Sequence, residues 1–204
     1  MIYNIYLNKI VKVFKLSVFI LIGPIGSGKS EVQNILEDQN FKCYCADKIV
    51  RMLYEKKDII SNVKNILPEY IENEKINLKL IRNIIFSNIK KITEIENFIQ
   101  PKVVLEFKKI IKENKNEKNL FFIFPIIKNN EFIKKYKTIY IDSKKEIRIK
   151  RLEKRKNYNK DIINKIIEYQ SSIDIYKDDS HYYIHNNNSL LNLKKSIKNL
   201  IKEL

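Results

Sequence analysis

Residues 23 to 30 read Gly-Pro-Ile-Gly-Ser-Gly-Lys-Ser, and Gly23, Gly26 and Gly28 are the only 3 glycines in 204 residues. The spacing fits G-x-x-x-x-G-K-[ST], a loop whose backbone N–H groups turn inward to cradle phosphates. Glycine there permits unusual dihedrals and close approach of the backbone to the anion. Within the same pattern Lys29 is placed to reach β and γ phosphates, and Ser30 to ligate magnesium. Ile25 and Ser27 fill free positions, as does Pro24, which has no N–H to give. Such a loop indicates ATP or GTP and leaves kinase, GTPase and ATPase open. A second candidate is Asp47, a carboxylate able to accept the proton of an attacking hydroxyl; capping a helix is its alternative role. A third is a cluster of guanidinium groups. Only five of the 40 basic residues are Arg, and Arg148, Arg151 and Arg155 fall within eight positions, at a spacing that shares one helical face. Arg forks bind phosphate oxygens bidentately, so a lid carrying them over a transferring group is one reading. A solvated basic face is the other.

These groups need a scaffold. Val18 to Ile22 is apolar throughout, and Ser17 to Ile22 is expected as a buried parallel strand leading into the glycine loop. Helical periodicity follows over Glu31 to Asp38, then a second strand over Phe41 to Cys45. Ala46-Asp47 comes at its end, before a helix with Ile49, Val50, Met52 and Leu53. Asp47 is thereby expected at a carboxyl edge, where open α/β sheets bind ligands. A chain that is 44% hydrophobic and 31% charged reads as one globular domain, residues 17 to 204, behind an extension, residues 1 to 16. The net charge of +16 is spread along the chain as Lys, without a basic patch interleaved with aromatics, so no nucleic-acid partner is expected. The apolar run after Lys15 is too short to span a membrane. Cys43 and Cys45 have no second pair or adjacent His for a metal, and are expected as buried free thiols in a cytoplasmic protein. His181 and His185 are expected at packing or surface positions.

Taken in order, the motifs resemble the dephospho-coenzyme A kinase family. Gly23 to Ser30 followed by Cys45-Ala46-Asp47 and Arg51 is similar to its Gly-Gly-Ile-Gly-Ser-Gly-Lys-Ser and Asp-Ala-Asp-x-x-x-Arg pair. Arg82-x-x-x-Phe86, Ile95 to Pro101, Phe124-Pro125-Ile126-Ile127, Arg151 with Arg155, Gln170 and Ile184-x-Asn186 resemble later family segments, so that the likeness runs from residue 17 to 203. The resemblance implies a doubly wound parallel sheet of about five strands, of P-loop kinase type. It also implies a helical acceptor-binding insertion near residues 60–110 and a helical lid near 144–175. The implied reaction is transfer of the γ-phosphate of ATP, with Mg2+, to the ribose 3′-hydroxyl of dephospho-CoA. It further implies Asp47, Lys29 and Arg151 as catalytic residues, and Arg155 and Asn186 alongside the loop as nucleotide ligands. Arg51, Arg82 and Phe86 join Asp47 on the acceptor, and a monomer is the expectation. Five positions depart from the family pattern: Cys45, Gln100, Asn129, Ile173 and His181 each replace a charged or titrating residue. Two rivals remain. One is a different small P-loop kinase acting on nucleosides or nucleotides; the other is a nucleotide-dependent RNA-binding protein without catalysis, which salt-sensitive RNA binding would mark.

Overall fold

A computed structural model describes residues 16–78, 89–125, 131–155 and 159–204. Arg82, Phe86, Ile126, Ile127 and Asn129, and nearly all of the N-terminal extension, lie outside the described residues. The architecture follows from strand β1 (Ser17–Ile22), which is apolar on both faces and so must be covered on both. Val18, Ile20 and Ile22 point into one layer and Phe19 and Leu21 into the other, the alternation of a pleated strand. Helices α1 (Lys29–Glu37) and α7 (Leu190–Glu203) cover the Phe19 side through Val32, Ile35, Leu36, Leu193, Ile197 and Leu200. Opposite them lie α2 (Ala46–Leu53), α3 (Lys57–Ile66) and α4 (Ile89–Glu113). On α4 the buried Ile95, Ile99, Val103 and Phe107 recur every fourth residue, the stripe that docks a helix on a sheet.

The sheet has five strands in the order β2 (Lys42–Cys45), β5 (Asn119–Ile123), β1, β6 (Lys137–Asp142), β7 (Tyr182–His185), and every neighbouring pair is parallel. This is the doubly wound parallel sheet the sequence leads one to expect. From the central β1 the chain goes to β2 at one edge, comes back through β5, and crosses past β1 to β6 and β7 on the other side, a reversal that opens a crevice at the carboxyl edge. A separate hairpin, β3 (Ile71–Glu72) with β4 (Lys75–Ile76), turns through Asn73 and Glu74 at φ 48° and 58°. Two consecutive positive φ values are what a two-residue hairpin turn requires. Helices α5 (Lys145–Glu153) and α6 (Lys160–Ile173) come between β6 and β7. Among the described residues no helix is long and apolar enough to cross a membrane.

Two alternatives left open by the sequence fall away, and one expectation is corrected. Asp47 is not a helix cap: α2 begins at Ala46, so Cys45 holds the capping position, without a side-chain bond, and Asp47 sits in the first turn. The arginines do not share one solvated helical face, because α5 ends at Glu153 and Arg155 follows in the turn, while Arg148 is only 8% exposed. The thiols are half-buried, Cys43 against the Phe19 layer and Cys45 where β2 ends. Burial next to Glu37 pushes the Cys43 thiol up to about 12, so it stays protonated and unreactive at neutral pH. Of the two histidines, His181 accepts the Thr138 N–H at Nδ1 (3.2 Å), and His185 lies exposed beside Asp142 (3.7 Å).

Candidate active site

The glycine loop leaves β1 at its carboxyl end and closes onto α1. The Ser27 N–H turns back to the Pro24 carbonyl at 3.2 Å. By contrast, the N–H groups of Gly26, Gly28, Lys29 and Ser30 have no partner among the described residues. The first N–H groups of any helix lack intrahelical acceptors, and here they join the loop amides at the positive end of the α1 dipole. Gly28, at φ 103°, makes the turn into the helix. The result is a concave set of donors suited to an anion.

Lys29 lies along this cradle, its Nζ donating to the carbonyls of Gly23 (2.6 Å) and Pro24 (3.1 Å). Burial lowers its pKa from 10.5 to about 8, while Asp47 and Cys45 pull it up and Arg155 and Arg148 push it down. Lys29 thus stands in the fields of groups from β2 and α2 on one side and from the α5 region on the other. Asp47 and Ser30 are both exposed, free to meet a ligand from solvent.

Arg51, one helical turn beyond Asp47, lines a cleft of about 1000 Å³ between α2, α3 and the β3–β4 hairpin. Lys57, Lys64 and Lys75 add positive charge to its wall, with Glu55 and Glu74, while Tyr54, Ile60, Pro68, Ile71, Ile76 and Leu78 supply apolar surface. Gln100, on α4, lines a different cleft of about 570 Å³ with Pro101 and Phe132. A mixed basic and apolar groove suits a long ligand carrying anionic groups and an uncharged arm.

Arg151 and Asn186 are brought to the glycine loop, on its carbonyl side. Asn186 Nδ2 donates to the Ser27 carbonyl at 2.8 Å, and Asn186 itself is buried. Arg151 donates through Nη2 to the Asn186 carbonyl (2.9 Å) and through Nη1 to Ser143 Oγ (3.2 Å) and, at 3.4 Å, to the carbonyls of Gly26 and Ser27. Ser143 Oγ in turn donates to the Asn186 carbonyl at 2.9 Å. Ser143 carried no signal in the sequence, because a lone serine after a strand is indistinguishable from ordinary turn chemistry. Gln170 was visible only through the family likeness, although a buried amide three residues after the buried Ile167 on α6 marks a polar group that must find a partner.

With this geometry in hand, the comparisons with known proteins agree with one another. A family model described as dephospho-CoA kinase matches residues 17–192. A dephospho-CoA kinase of Fusobacterium nucleatum is 33% identical over 184 residues, covering 87% of this chain and 93% of the relative. Among solved structures, a dephospho-CoA kinase from Campylobacter jejuni superposes with a TM-score of 0.66 at 24% identity, covering 92% of this chain and 96% of that one. A shikimate kinase from Acinetobacter baumannii shares the fold at a TM-score of 0.55 and 16% identity, over 95% of this chain and 97% of its own.

Proposed function

The chain belongs to the dephospho-CoA kinase family, and on that premise we propose that it transfers the γ-phosphoryl group of ATP to the ribose 3′-hydroxyl of dephospho-CoA, the last step of coenzyme A synthesis. The observation that carries this reading is the row of open amides at Gly26, Gly28, Lys29 and Ser30, with the Lys29 ammonium and the Asp47 carboxylate acting on each other beside it. The loop amides and Lys29 hold the β and γ phosphates and take up the charge that develops on them. The exposed hydroxyl of Ser30, in the first turn of α1, would hold magnesium, which when bound neutralises phosphate charge.

Asp47 accepts the proton of the acceptor hydroxyl as its oxygen forms the new bond to the γ phosphorus. The bond to the β–γ bridging oxygen breaks, and ADP leaves with that electron pair. Arg51 begins the acceptor surface, and the cleft beyond it takes the remainder of the molecule: cationic side chains for its diphosphate and apolar ones for its arm. With Asp47, Arg82 and Phe86 are proposed as acceptor contacts by family likeness. Arg155 is proposed to face the phosphates, and Arg151 and Asn186 to support the nucleotide site from the carbonyl side of the loop. The helices after β6 act as the lid and the chain works as a monomer, while its free half-buried thiols support a cytoplasmic setting.

The acceptor assignment is tested by offering ATP and magnesium with dephospho-CoA, adenosine, AMP or CMP and following ADP release. Dephospho-CoA alone is expected to support turnover. Turnover of a nucleoside or nucleotide instead would make this a different small kinase, and ATP binding without any phosphorylated acceptor would favour a binding protein.

ATP affinity is expected to depend on pH through Lys29. Bound phosphates favour its charged form, and below about pH 8 the free protein already has that form, so affinity is flat there. Above about 8 the free Lys29 is neutral and binding must take up a proton, so affinity falls, by up to about ten-fold per pH unit. Calorimetry in buffers of different ionisation enthalpy reads both the affinity and the proton uptake. Lys29→Met is expected to flatten the profile, and a flat profile in the unaltered protein would remove Lys29 from the phosphates.

A further inference from the structure

Ile25 is the one residue of the glycine loop gripped at both of its backbone groups by side chains from the α5–α6 region. Its N–H donates to Gln170 Oε1 on α6 at 2.7 Å, and its carbonyl accepts from Arg148 Nη1 on α5 at 3.3 Å. Both residues are 8% exposed, which limits the competition of water for these bonds. Pro24 has no N–H, which makes Ile25 the first residue of the loop after Gly23 able to be held by its amide. We propose that Gln170 and Arg148 are positioning residues of the nucleotide site: by fixing the peptide groups on either side of Ile25, they set the direction in which the following amides open toward phosphate. The inference rests on the reading of this loop as the ATP site.

Burial disfavours the charged form of Arg148, and the fields of Asp142 and Asp174 favour it. The Tyr140 hydroxyl donates to Asp174 Oδ2, and Asp174 caps the C-terminus of α6, one turn beyond Gln170. The last turn of α6 therefore reaches the loop directly through Gln170, while Asp174 beyond it adds to the negative field at Arg148. An aliphatic residue at 170 would pack as well in the helix and leave the half-buried Ile25 N–H without an acceptor, a loss concentrated on the loop.

The test compares Gln170→Met, which keeps length and removes the acceptor, with Gln170→Glu, which keeps an acceptor oxygen and places its charge toward the Arg148 side of Ile25. Steady-state kinetics with ATP and dephospho-CoA, nucleotide-free melting temperatures and ATP titrations are the readouts. Gln170→Met is expected to raise KM for ATP by about five- to ten-fold, with KM for dephospho-CoA within about two-fold and the nucleotide-free melting temperature lowered by no more than about 4 °C. Gln170→Glu is expected to stay within about three-fold of the unaltered protein. Equal effects of the two substitutions, no change in KM for ATP, or a parallel rise in both KM values with a larger fall in melting temperature would each overturn the proposal. Failure of the unaltered protein to bind ATP at all would instead remove the nucleotide-site reading on which it rests.

Discussion

Asp47→Asn is expected to lower kcat about 10³-fold while leaving the dissociation constant for ATP near neutral pH within about three-fold. Asn keeps the volume and one acceptor oxygen, so α2, whose capping position is Cys45, is expected to form as before. What it loses is the ability to accept the proton of the attacking hydroxyl. The amide that replaces it has no basic oxygen to take that proton. A second readout separates this from mere damage. The Asp47 charge is the largest influence holding the Lys29 pKa up. Without it, the pH above which ATP binding weakens is expected to move below about 8. Single-turnover measurement of phosphoryl transfer, with calorimetry of ATP binding from pH 6 to 9, checks both. A fall in kcat of less than about ten-fold would show that the hydroxyl proton leaves by another route.

Gly23→Ala is expected to lower the melting temperature by about 6–12 °C and to raise KM for ATP more than about ten-fold. A Cβ on Gly23 would stand 2.3 Å from the Ile141 carbonyl oxygen and 3.1 Å from Ser27 Oγ. Ile141 lies in β6, paired with β1 on one side and β7 on the other, so its backbone cannot yield. The residue also has φ 152°, a conformation that a side chain disfavours. Steric and conformational costs of a few kcal/mol are relieved only if the loop moves away from the sheet, and that movement carries the open amides with it. Thermal unfolding without nucleotide and ATP titration give the two numbers. A variant that melted and bound ATP normally would show that the loop has a second position of equal energy.

The chemistry of the nucleotide half was legible in the sequence because it is local. One loop supplies the amides, Lys29 and Ser30, and the apolar run before it and the periodic run after it announce a strand and a helix. The parallel sheet was legible too, since strands apolar on both faces require cover on both. The acceptor half was visible only as spaced motifs. Asp47 and Arg51 lie one turn apart on a helix, but the cleft beyond them is made by α3 and a hairpin whose turn, Asn73-Glu74, carries no glycine to announce it.

Tertiary structure alone decided what several of these residues touch. From spacing, Gly23 is a glycine for phosphate; in the fold it is also the point where the loop crosses the backbone of β6. Three arginines at helical spacing resemble one face, yet Arg148 is buried on the Ile25 carbonyl, Arg151 clamps Asn186 and the loop carbonyls, and Arg155 is exposed. Gln170 and Ile25 are 145 positions apart, and no periodicity joins them. Sequence determines contacts that lie within one turn of a helix or one pleat of a strand, because the repeat of each element fixes them. Contacts between elements depend on which strands become neighbours, and the sheet order β2-β5-β1-β6-β7 exists only once the whole chain has folded.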